Sequence, residues 1–187
     1  MILPIVGFGH PALRDETQEI GPDYPELAEL VANMFDTMYN ANGVGIAAPQ
    51  VGLSIRMFVV DGSPMQDMAQ EGENMEGFKK VFINPKKVEE FGKKWDFEEG
   101  CLSIPDIREL VTRPDTLTLH YFDENFTELT ETFTGLKARI LQHEYDHLEG
   151  KLFTDYVSAF RRQMVKKRLN KISKGEIYTD YPMKFGK

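Results

Sequence analysis

Leu27, Leu30, Val31, Met34, Phe35 and Met38 recur at intervals of three and four residues, the period of one helical face, and predict an amphipathic helix over residues 25–39. Pro25 suits the first turn of that helix and Gly43 a stop just beyond it. Short apolar runs at 55–61 and 81–84, bounded by Gly, Ser and Pro, read as strands. Between them, residues 62–77 are acidic and rich in Gly, Gln and Met. That segment is longer than the ~12–15 residues usual for a connection, which predicts a mobile loop and makes it a candidate for function. Alternation follows at Trp95 and Phe97, at Leu117, Leu119 and Tyr121, and at Leu129, Glu131 and Phe133, as in antiparallel strands with one buried face. The period turns helical again over 136–149, where Leu136, Ile140, His143 and His147 share a face and Gly150 supplies the stop. The expected fold is α+β, with mixed, mainly antiparallel strands packed around a central helix that carries two histidines inward. No internal repeat or domain linker interrupts it.

The chain has 187 residues, 41% hydrophobic and 28% charged, a size suited to one domain that buries about 70% of its unfolded surface. A single cysteine excludes an internal disulfide and points to a reducing compartment. No apolar run approaches the ~18 residues of a membrane span, and the first residues lack a basic stretch followed by an apolar one. A cytoplasmic protein with no membrane partner is therefore expected. The net charge of -8 is uneven: 13 bases and 28 acids precede Ala159, against 9 bases and 2 acids from there onward. An acidic body, 1–158, thus carries a basic extension of the same domain, 159–187. Within 159–174, seven bases and no acids lie on a predicted helix. Arg161 and Arg168 fall within the face that holds Val157, Phe160 and Met164, so charged and apolar positions segregate poorly.

The segment His143-Glu144-Tyr145-Asp146-His147 has the His-Glu-x-x-His spacing. Imidazoles at i and i+4 point the same way and can grip one ion, while the glutamate reaches its water. A pair of satisfied core histidines is the plainer reading. The sequence continues to Gly150 as metzincin proteases do, but Phe153 stands where their third histidine would be. A catalytic site usually needs three protein ligands and one open position. Cys101, in Glu98-Glu99-Gly100-Cys101-Leu102-Ser103, is the natural third ligand. Alone it would more often be a small buried hydrophobe than anything reactive, and the nucleophile of a Cys-His pair is a further alternative. Glu144 favours the metal, because a carboxylate between metal-spaced histidines has work to do on water and none in a thiol mechanism.

A third segment, Gly43-Val44-Gly45-Ile46-Ala47-Ala48-Pro49-Gln50, satisfies the dinucleotide pattern G-x-G-x-x-A on paper. It follows a helix and runs into a proline, the reverse of what that motif requires, so phosphate binding is discarded. Small residues instead let another backbone approach, and Gln50 offers an amide donor. Both suit an extended peptide.

Together the motifs GVGIAAPQ, EGCLSIP and QHEYDHLEG resemble those of peptide deformylase, a bacterial and organellar metallohydrolase that removes the formyl group from the N-terminal methionine of new proteins. The resemblance runs from Gly9-His10-Pro11 to about Tyr156. It implies Cys101, His143 and His147 as metal ligands with water at the open position, and Glu144 as general acid and base. It implies one divalent metal, natively Fe(II), with zinc, nickel or cobalt as substitutes. Water would give its proton to Glu144 and attack the formyl carbon. The metal, the Gln50 amide and the Leu102 backbone N–H would hold the oxyanion, and the proton would pass to the departing amine as formate leaves. The substrate, an N-formylmethionyl peptide or nascent chain, would lie extended against Gly43, Val44 and Gly45, with its methionine near Val44, Leu136, Arg139, Ile140 and His143 and its continuation at Arg108. Glu99 and Asp146 are candidates to orient a histidine, or else surface ion-pair partners.

Asn42 departs from the resemblance, standing where the family often has an acid. Some members dock on the ribosome through a basic C-terminal helix, which sets contact of the basic tail with ribosomal RNA against the plainer reading of a solvated terminal helix; no DNA partner is expected. A zinc endopeptidase would need a downstream third ligand, for which only Glu176 is available. A non-enzymatic metal module would leave Glu144 without a role.

Overall fold

The computed structural model describes residues 1–186. Helix α1, Leu27–Asn40, buries Met34, Phe35 and Met38 as its period requires. Its ends differ from the expectation. Pro25 lies outside the helix, in a turn that ends at Glu26 with φ 53°, and the left-handed residue that closes it is Asn42 (φ 54°), not Gly43. The Gly43 N–H donates to the Met38 carbonyl at 2.9 Å and the Asn42 N–H to that of Tyr39 at 3.0 Å, the paired bonds that cap a helix C-terminus. Asn tolerates this conformation better than most side chains.

A five-stranded sheet follows in the order β2-β3-β4-β5-β6, antiparallel throughout: β2 Gly45–Ala47, β3 Met57–Asp61, β4 Lys79–Cys101, β5 Ile104–Phe122 and β6 Glu128–Thr134. Strand β3 is buried on both faces. Phe58 and Val60 face the core beneath α2, Gly135–Leu148, whereas Met57 and Val59 face the core beneath α1, and this explains why its sequence reads as an unbroken apolar run. The runs at 81–84 and around Trp95 belong to one 23-residue strand, β4, bent by register shifts.

Helix α2 is buried on nearly every side. Its C-terminus closes at Gly150 (φ 67°), where the Lys151 N–H reaches the Asp146 carbonyl at 2.9 Å. Residues 62–77 are tied down rather than free. Ser63–Met68 form a short helical turn, Gln66 accepts from the Met75 N–H at 2.6 Å, and Met75 is fully buried. Glu73 accepts from the Lys137 N–H at 3.1 Å, capping the first turn of α2 with a negative charge where the helix dipole favours one.

The basic helix forms as α3, Ala159–Ser173, capped by the Ser158 hydroxyl, but with a different buried face. Val165, Leu169 and Ile172 pack onto Ile104, Ile107 and Val111 of β5, while Phe160 and Met164 are 71% and 64% exposed. Arg161 pairs with buried Glu109 at 2.9 Å and Arg168 donates to the Asp106 carbonyl, so these two arginines mark the inner face. The chain then turns back, and β7, Met183–Lys184, pairs in parallel with β1, Ile5–Val6.

Candidate metal and catalytic site

Helix α2 and the end of β4 bring three donors together. The ligand atoms of Cys101, His143 and His147 all lie within 4.8 Å of one another, and Cys101 Sγ is 3.4 Å from His147 Nε2. Two imidazoles one helical turn apart and a thiol from a facing strand suit a divalent transition metal. His143 Nδ1 is engaged by Glu99 Oε1 at 2.9 Å, which leaves Nε2 for an ion and matches the carboxylate support that ligating histidines usually have. The donor set therefore fits a metal. Phe153 lies nearly parallel to the His143 ring at 6.1 Å and serves as packing. Glu176 is exposed beyond α3 and takes no part.

Glu99 sits at the centre of a buried charge cluster. Arg113 grips it through two nitrogens at 2.7 and 3.0 Å and reaches Asp146 at 2.8 Å, while Arg139 Nη1 meets it at 2.9 Å. Of the two candidate supports, Glu99 contacts a histidine and Asp146 holds Arg113. Burial disfavours the Glu99 charge, but hydrogen bonds from His143 and Arg113 outweigh it and hold the carboxyl below the ordinary carboxylate range. Burial also opposes a charge on His143, yet its bonds with Cys101 and Glu99 raise its pKa. At His147, burial and the positive charges of His143 and Arg113 push the pKa down. Glu99→Ala would leave two buried guanidiniums short of a partner, and a loss of about 3–5 kcal/mol in folding stability is expected, measured by denaturant titration.

Glu144 is 4% exposed, its Oε2 has no hydrogen-bond partner, and burial pushes its pKa up to about 7. A carboxyl poised near neutrality can both take and return a proton. It packs against Gly45 so closely that a Cβ there would fall 2.6 Å from Glu144 Oε1, which is why a glycine is needed at 45. Gln50 is buried, and its Oε1 accepts from the Ala47 N–H at 2.9 Å. That bond turns Nε2 towards Cys101 Sγ at 3.5 Å and Ser103 Oγ at 3.2 Å.

These groups open onto a cleft of about 1000 Å³. Gly43, Val44, Gly45, Leu102, Arg108, Arg139 and Ile140 line it. Leu136 does not, being fully buried in the core beneath. The terminal nitrogens of Arg139 are committed to Glu99 and to the Trp95 and Val111 carbonyls, with its guanidinium over the Trp95 ring, so they are not available to a ligand in the cleft. The sequence reading missed two contributors: Met65 and Met68 from 62–77, and Tyr178 to Tyr181 from the tail. The methionines carried a compositional signal; the tail offered only two tyrosines in a polar stretch.

Residues 2–163 match the polypeptide deformylase family. A protein of Flavobacterium johnsoniae named peptide deformylase is 54% identical, with 99% of this chain and 96% of that one covered; one of Salinibacter ruber is 48% identical, with 98% and 94% covered. Among solved structures, a peptide deformylase from Legionella pneumophila superposes with TM-score 0.80 at 36% identity over 94% of this chain and 98% of that one. One from Arabidopsis thaliana with an inhibitor gives 0.81 at 35% over 93% and 92%.

Proposed function

Because the chain belongs to the peptide deformylase family, a family of hydrolases, we propose that it removes the formyl group from the N-terminal formylmethionine of nascent polypeptides in the cytoplasm, releasing formate. The observation that carries this is the convergence of Cys101, His143 and His147 beside the buried carboxyl of Glu144. Cys101, His143 and His147 would hold one divalent ion, iron(II) natively, with zinc, nickel or cobalt able to replace it, as the mixed thiolate and imidazole set suits. Such an ion supplies Lewis-acid activation of water and of a carbonyl oxygen.

Glu144 accepts the proton of the attacking water and delivers it to the departing amine nitrogen, a double role that its raised pKa supports. The Gln50 amide, fixed by Ala47, and the Leu102 N–H act as donors to the oxyanion as it develops; each such donor is worth ~3–4 kcal/mol elsewhere. Strand β2 is the edge of the sheet, so the substrate can add along Gly43 to Gly45 as a further strand. The methionine side chain then lies beside Val44, Ile140 and the Arg139 methylenes, and Arg108 meets the peptide beyond it. The test is to purify the protein anaerobically, analyse its metal, and assay formate release from a formyl-Met peptide. A loaded protein that releases none refutes the reading.

A second partner is supported by α3. Arg161 and Arg168 are engaged with β5, whereas Lys166, Lys167, Lys171 and Lys174 are exposed and make no ion pair among the described residues. We propose that these lysines contact ribosomal RNA through its phosphates. Deleting 159–187 would also remove core residues, so charge reversal is the cleaner experiment. Replacing the four lysines with glutamate is expected to lower co-sedimentation with ribosomes at least tenfold, most at low salt, with formate release from a free peptide unchanged.

A further inference from the structure

The turn joining β4 to β5 has only two residues, Leu102 and Ser103, yet it follows Cys101 directly and carries the Leu102 N–H. Both of its carbonyls are held from outside the hairpin. Ser103 accepts from the Phe8 N–H at 2.8 Å, and Leu102 accepts from the Tyr181 hydroxyl at 2.8 Å. Tyr181 is fixed in turn: Thr179 Oγ1 donates to its carbonyl at 2.7 Å, and the next residue, Pro182, offers its carbonyl to the Ile5 N–H at 2.9 Å. The ring is half-buried beside Leu102 and also lines the cleft. Burial keeps the phenol protonated, well above its ordinary range, so it remains a donor.

We propose that Tyr181 is a positioning residue for the reaction: its O–H anchors the Leu102 carbonyl, and through this two-residue turn holds the Leu102 N–H at its place in the cleft. A two-residue turn has few torsions to relax, so the orientation of one peptide plane constrains the next. Releasing the Leu102 carbonyl therefore lets the Leu102 N–H swing away from the position where an oxyanion would form. The chain end thus belongs to the active site although none of its groups reacts.

This inference rests on the deformylase reading above, and the experiment separates the two. Tyr181→Phe removes one hydroxyl and keeps the ring. With formyl-Met peptide as substrate, kcat is expected to fall about three- to tenfold, the worth of one neutral hydrogen bond, with KM within about twofold. Bound metal and thermal midpoint should match the wild type, while amide exchange at Leu102 and Ser103 becomes faster. Unchanged kcat overturns the proposal whatever the exchange, as does a fall in kcat matched by lost metal in a folded protein. Absence of formate from the loaded wild type overturns the deformylase reading and this inference with it. If the phenylalanine variant does not fold, Thr179→Val is read in the same way, with a fall of about two- to fivefold expected.

Discussion

Glu144→Gln is expected to lower kcat for formate release by about 10²–10⁴-fold while the protein keeps its metal and its fold. The amide has nearly the same shape, so the contact with Gly45 survives, and none of the three metal donors is altered. What disappears is a group able to take a proton and give it back. Stability should be equal or higher at neutral pH. Burial raises the Glu144 pKa to about 7, so ionising it in the folded state costs stability as pH climbs from the unfolded value through 7, and an amide has no such charge. Metal analysis, thermal unfolding and steady-state kinetics on one preparation decide the matter. A variant that retained most of its activity would remove Glu144 from the reaction, and one that lost its metal would make it a structural support.

Cys101→Ala is expected to weaken metal binding by more than about 100-fold and to abolish formate release. The other two donors share one helix, and Cys101 alone reaches them from β4. Losing a ligand costs more than losing an outer partner, for which 10–100-fold is typical. The same variant separates two chemistries. A thiol nucleophile predicts lost activity with metal retained, whereas a ligand predicts that both disappear together. Cys101→Ser should fall between the wild type and alanine, since a hydroxyl is a poor donor to these metals.

Much of this site was legible because its chemistry is local in sequence. The spacing of His143, Glu144 and His147 is a helical repeat, and periodicity places it on one face regardless of the rest of the fold. Cys101 could be proposed only by asking what completes a three-ligand set, because 41 residues separate it from His143 and no local rule spans that gap. Leu136 was assigned to the substrate by the resemblance alone. It stands in line with Ile140 and His143 on α2, but whether that line faces a cleft or a core depends on what covers it, and here core residues do. On α3, side chains were assigned to a face by apolarity, whereas Glu109 and the Asp106 carbonyl on the neighbouring strand draw Arg161 and Arg168 inward and leave Phe160 and Met164 outside. Residues 62–77 looked free because their anchors are single side-chain-to-backbone bonds, which leave no periodic trace.

The parallel pairing of β1 with β7 joins residues 5–6 to residues 183–184, nearly the whole length of the chain. During synthesis, strand β1 must wait for a partner that is made far later. The hairpin tip beside Cys101 is held by Phe8 on one side and Tyr181 on the other, so it too gains its outer support only once Tyr181 has been made. Contacts of such long range form late and slowly. A nascent copy of this protein therefore cannot brace the turn beside Cys101 from both sides until residues 181–184 have been made.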